Sequence, residues 1–129
     1  MNIWLNLKNK IMINYDDFKK IELKTAKILK AERVEGSEKL IRLEVDCADE
    51  NETGEFVARQ IVAGIGLKYQ PEDLIGKTII IVANLEPRKL MGLESRGMLL
   101  AASNETGEEK QGPILLTVME DIKPGSEIR

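Results

Sequence analysis

In residues 40–47, LIRLEVDC, the alternation is clean from Ile41 onward. Ile41, Leu43, Val45 and Cys47 share one parity; Arg42, Glu44 and Asp46 share the other. A period of two places successive side chains on opposite faces, so this run is a strand with one face in a core and one in solvent. A helix would scatter those four apolar groups around its circumference. The chain therefore contains a half-buried sheet, and neighbouring segments must supply its partners.

They are legible on both sides. Residues 20–34, KIELKTAKILKAERV, read as a long first strand whose apolar parity becomes ambiguous from Ala26 to Leu29, as a bulged and bent strand requires. Ahead of it, Asn14 or Asp16 can cap a short helical turn through Lys19. Residues 35–39 are a turn, 49–54 a polar turn, and Phe56 to Ala63 a third strand running into AGIGL. Pro71-Glu-Asp-Leu-Ile-Gly76 carries proline at the start, acids in the first turn and glycine past the end, the asymmetry of one short helix. Lys77 to Asn84 is a β-branched run suited to burial on both faces, and Gly97 to Ser103 is a fifth strand. Pro113 to Met119 adds a short strand and Pro124-Gly125 a closing turn. The pentapeptide NETGE occurs at 51–55 and at 104–108, which is turn chemistry and not a repeat architecture.

Three strands, a short helix and two strands is the order of an all-β OB-fold, a five-stranded Greek-key barrel with its helix between strands 3 and 4, here followed by a C-terminal extension. Residues 1–14 read as an N-terminal extension and 15–129 as the barrel domain, with about 104–129, including Ile114 to Val118, expected to pack a dimer. This fold takes ligands across strands 2–3 and through the loops joining strands 1–2 and 4–5. Arg42 on strand 2, Lys39 in the 1–2 loop, and Arg88, Lys89 and Arg96 in the 4–5 loop lie in that zone.

The chain has no histidine, which removes the usual general base, metal ligand and Ser-His or Cys-His pair. Neither a metal site nor a cofactor is expected. IGKT at 75–78 is not a phosphate-binding loop, because Pro71 stands where its first glycine belongs. A carboxylate enzyme needs acids inside the barrel, and these acids lie in turns or at outward parity. The single Cys47 and the absence of a long apolar run suggest a cytoplasmic protein away from membranes. The net charge of −3 argues weakly against nucleic acid, but acids cluster at 49–55 and 105–109, leaving a basic remainder. Aromatics are scarce in the barrel strands, so base stacking, worth roughly 1–3 kcal/mol per base, is not the expected source of RNA affinity. Recognition of a folded RNA by shape and backbone fits better.

The sequence resembles the tRNA-binding domain found at the C-terminus of many methionyl-tRNA synthetases, in free-standing tRNA-binding proteins, in synthetase-associated cofactors and in an export chaperone. The match runs through Asp17-Phe18, Arg59-Gln-Ile-Val62, Pro71-Glu-Asp-Leu74 and Lys123-Pro-Gly-Ser126. Its longest part is Asn84-Leu-x-Pro87-Arg88-Lys89-x-x-Gly92-x-x-Ser95-x-Gly97-Met98-x-Leu100-Ala101. The resemblance implies a non-catalytic homodimer that binds folded tRNA with little sequence preference, as a β subunit or trans-acting module of methionyl-tRNA synthetase. It carries the binding surface onto Asn84, Arg88, Lys89, Ser95, Gly97 and Met98. Arg88 and Lys89 would meet phosphates. Asn84 and Ser95 would bond a 2′-hydroxyl, a base edge or the loop's own backbone. Two departures stand out. Many relatives have His-Pro-x-Ala-Asp-Lys-Leu where this chain has the acidic turn Val34 to Leu40, and Ala63 replaces a common serine. The alternative reading is an export-type chaperone of the same fold that binds unfolded peptide.

Overall fold

The computed structural model describes residues 11–129; most of the expected N-terminal extension lies outside that range. Asn14 caps helix α1 (Tyr15–Lys19), its side chain accepting from the Asp17 amide at 2.8 Å. Strand β1 (Leu23–Arg33) follows, with Ala26 and Ile28 fully buried. The register against β2 (Ile41–Asp46) shifts between Ile28 and Lys30, placing the bulge at Leu29 as the parity change requires. The bulge lets one strand serve two neighbours. Residues 23–27 pair with β4 (Thr78–Val82), and residues 27–33 pair with β2.

The alternation in β2 is realised residue by residue: Ile41, Leu43, Val45 and Cys47 are all fully buried. Strand β3 (Arg59–Ala63) is shorter than the sequence suggests. Phe56 and Val57 are exposed because Glu50 bridges Phe56 across a tight turn, so the chain joins the sheet only at Arg59. Helix α2 (Pro71–Leu74) drives Leu74 into the core, and Gly76, at φ +85°, turns the chain back onto β1. There the Gly76 amide donates to Ile28 O and the Ile28 amide to Lys77 O. Ile79, Ile80 and Ile81 are all buried, as expected for a strand covered on both faces.

Residues 84–97 do not form an open loop. Strands β5 (Arg88–Leu90) and β6 (Leu93–Ser95) make a hairpin. Its two-residue turn, Met91-Gly92, has φ of +49° and +81°, the double positive φ that matches strand twist. The expected fifth strand is divided. Strand β7 (Met98–Leu99) pairs with β4, whereas β8 (Ala101–Asn104) turns away to pair with β9 (Gln111–Leu115). The main sheet runs β3-β2-β1-β4-β7, a nearly closed barrel, with β10 (Glu127–Ile128) added beside the start of β1.

The C-terminal extension is sewn to the barrel. The buried Thr25 hydroxyl donates to Lys123 O and accepts from the Ser126 amide, which accounts for the Lys-Pro-Gly-Ser motif. The Leu115 amide donates to the Tyr69 hydroxyl, and the Thr117 hydroxyl to Thr78 O. Ile114 and Leu116 remain exposed. The two NETGE turns share one device: Asn51 and Asn104 each accept from the amide and hydroxyl of the threonine two residues on. Among the described residues no helix is long and apolar enough to cross a membrane.

Candidate nucleic-acid interface

The β5–β6 hairpin is the cation-bearing element at the rim. Arg88 opposes Ser95 in its ladder, Lys89 opposes Glu94 and Leu90 opposes Leu93. Arg88 and Lys89 are exposed, and among the described residues neither makes an ion pair. Leu90 and Leu93 are half-buried and seat the hairpin on the barrel. Arg96 is also exposed but is paired with Glu94 at 2.9 Å.

Arg88 and Met98 meet at a shallow recess floored by Ala63, Gly64 and Leu90. The Lys39 side chain lies over the same Gly64, where an added Cβ would come within 2.9 Å of Lys39 Cε. Residues from the 1–2 loop, the hairpin and β7 thus share one patch: Lys39, Arg88 and Met98. Arg42 is not part of it. Its guanidinium is bound to Glu32 and to the Gln60 side chain, and it faces the other flank, beside Met91 and Leu93.

Three of the residues singled out from sequence hold the frame. Ser95 is 4% exposed; its hydroxyl donates to Gly97 O and accepts from the Val62 amide at 3.0 Å. With the Arg96 amide donating to Gln60 O, this closes the barrel between β3 and the strand entering β7. Of the three partners open to Ser95, it has taken the backbone. Gly97 is buried at φ +132°, and a Cβ there would stand 2.9 Å from Val82 O. Asn84 accepts from the Glu22 amide and donates to Lys20 O, tying the entry to β1 to the exit of β4, while remaining exposed.

Arg59, which opens the Arg59-Gln-Ile-Val62 motif, is held by a side-chain network. Its Nε and Nη2 donate to both carboxylate oxygens of Asp49, at 2.8 and 2.9 Å, and its Nη1 donates to Ala83 O at 2.6 Å. Burial acts to raise the Asp49 carboxyl, but the hydrogen bonds and charge of Arg59 outweigh it and hold the group below its ordinary value. The same hydrogen bonds raise Arg59 against its partial burial. Nearby, burial pushes the Cys47 thiol up to about 11, with the Arg59 charge opposing.

Residues 23–127 match the family model of the tRNA binding domain. The chain is 55% identical over 116 residues to a methionine–tRNA ligase of Caldanaerobacter subterraneus subsp. tengcongensis. That match covers 90% of this chain and 16% of the ligase, so the chain spans about a sixth of the length of such relatives. Among solved structures, a MetRS related protein from Pyrococcus horikoshii superposes with a TM-score of 0.78 at 36% identity, covering 93% of this chain and all of that one. The chaperone CsaA from Bacillus anthracis gives a TM-score of 0.72 at 29% identity, covering 92% of this chain and all of that one. By the extent of the family match and the closeness of these relatives, this chain belongs to the tRNA binding domain family.

Proposed function

We propose that this chain binds folded tRNA as a homodimer and serves a methionyl-tRNA synthetase in trans, as a β subunit or accessory module in the cytoplasm, with no chemistry of its own. The observation that carries the reading is the hairpin: two exposed cations, Arg88 and Lys89, without an ion pair among the described residues, held on a seated element in a chain of this family. Two cations on a fixed frame suit phosphates at a set spacing, and Lys39 and Met98 extend the patch toward a neighbouring nucleotide. Few aromatics flank it, which favours backbone and shape over stacked single strands. The relation to methionine–tRNA ligases supports a synthetase as partner. The exposed Ile114 and Leu116 support the C-terminal segment as the dimer contact.

Fluorescence anisotropy of labelled tRNA at several salt concentrations tests the reading, with unstructured RNA of equal length as competitor. Saturable binding that prefers folded tRNA and weakens with salt is the expected result. The likeness to CsaA makes unfolded peptide the second ligand to try. Peptide binding that survives high salt, with no tRNA binding at low salt, would replace the tRNA reading by the chaperone one.

A further inference from the structure

Arg59 stands at the foot of the excursion formed by residues 84–96, on β3. Its Nη1 donates to Ala83 O at 2.6 Å and to Arg96 O at 3.3 Å. Ala83 is the last residue before the excursion, and Arg96 is where it ends. One planar guanidinium therefore grips both ends of the segment that carries Arg88 and Lys89. Asp49 fixes the plane of that guanidinium by bonding Nε and Nη2 together. Four of its five N–H donors are engaged, and its charge is balanced by a carboxylate, so Arg59 has little left to offer a phosphate. Gln60 repeats the grip one residue further on: its Nε2 donates to Glu94 O and its backbone carbonyl accepts from the Arg96 amide.

We infer that Arg59, oriented by Asp49, is a positioning residue for RNA binding: it fixes the foot of the β5–β6 hairpin so that Arg88 and Lys89 are presented in one arrangement. The inference rests on the tRNA-binding reading of that hairpin. A two-stranded ribbon with strands of three residues is not stable alone, so its orientation is set by its anchors. Without them the hairpin samples several orientations, and apparent affinity falls by the fraction of time spent in the competent one. Lysine cannot replace the grip, since a point charge cannot span a carboxylate and two carbonyls in one plane.

Asp49→Asn separates positioning from direct contact by the sign of its effect. The change removes a negative charge from a protein that binds a polyanion, so electrostatics alone predicts tighter binding. Loss of positioning predicts weaker binding, roughly tenfold at every salt concentration, with the wild-type salt slope retained. Arg59→Lys is the second variant and should behave alike. In the free proteins, hydrogen exchange should quicken at the amides of residues 90–94 while those of β2 stay protected. Unchanged or tighter tRNA binding by Asp49→Asn, or hairpin exchange as slow as wild type, overturns the inference. A lowered melting temperature with unaltered affinity reduces the pair to a structural role and overturns it too. The wild-type titration keeps the two claims apart: no tRNA binding by the wild-type chain defeats the tRNA reading itself, and the inference with it.

Discussion

Arg88 and Ser95 face each other across the hairpin ladder, yet Arg88 reaches solvent while Ser95 is buried with its hydroxyl between Val62 and Gly97. The family's motif thus mixes two kinds of residue, those displayed to solvent and those that hold the frame. Replacing Ser95 by alanine leaves the Val62 amide and the Gly97 carbonyl without this partner. The expected cost is about 1–3 kcal/mol of stability, read as a lower urea midpoint. The salt slope of tRNA binding should be unchanged, since no cation is lost.

Arg88→Ala combined with Lys89→Ala should do the opposite. Both side chains are exposed and make no ion pair among the described residues, so the melting temperature should move little. The dependence of log K on log salt should become shallower by up to about two units. An unaltered slope would remove the hairpin from the interface.

Two glycines of the same segment should differ in what alanine costs. At Gly92, φ is +81° with open space where a Cβ would go, so the expected loss is the left-handed strain of about 1–2 kcal/mol. At Gly97 the Cβ also meets Val82 O at 2.9 Å, raising the expected loss to about 3 kcal/mol or more. Thermal melts should rank wild type above Gly92→Ala and Gly92→Ala above Gly97→Ala.

Acid should act through Asp49. Its folded carboxyl titrates below the ordinary 3.8, so its pairing contributes fully above that value and is lost as pH falls through the lower, folded one. Urea unfolding of wild type and Asp49→Asn should show a gap at pH 6 that narrows below about pH 4. A gap that stays constant would mean the ion pair is not the source of the difference.

Alkali should act through Cys47. Its thiol shifts from 9.0 to about 11 on folding, so the folded state holds the proton more tightly. That contribution is complete below 9 and is lost as pH rises toward 11. Cys47→Ala should flatten the alkaline fall in stability. At pH 8 a disulfide reagent should label the wild-type thiol only after the chain is unfolded in guanidinium.

What could be read in the sequence followed burial. The β2 alternation, the parity break in β1 and the proline-to-glycine frame of α2 each state a local rule that the fold obeys. The hairpin was hidden because its strands have three residues and its turn places Met91 at φ +49°, a site usually signalled by asparagine or glycine. Phe56 looked like strand because it is apolar, but a bridge to Glu50 claims it for a turn. The roles of Ser95, Asn84 and Arg59 rest on backbone partners 33, 62 and 24 residues away, and no local pattern announces such partners.

Leu23 pairs with Val82 on one side and with Ile128 on the other. The first long strand is thus completed by residues about a hundred positions later in sequence. During synthesis, Leu23 and Lys24 keep one edge unmatched until residues 127–128 have cleared the ribosome. Contacts this distant in sequence slow folding, because a long loop must close before they form. Through that interval the half-built barrel offers a bare strand edge on which a second nascent chain can add, and truncations ending before Glu127 would prolong the same exposure.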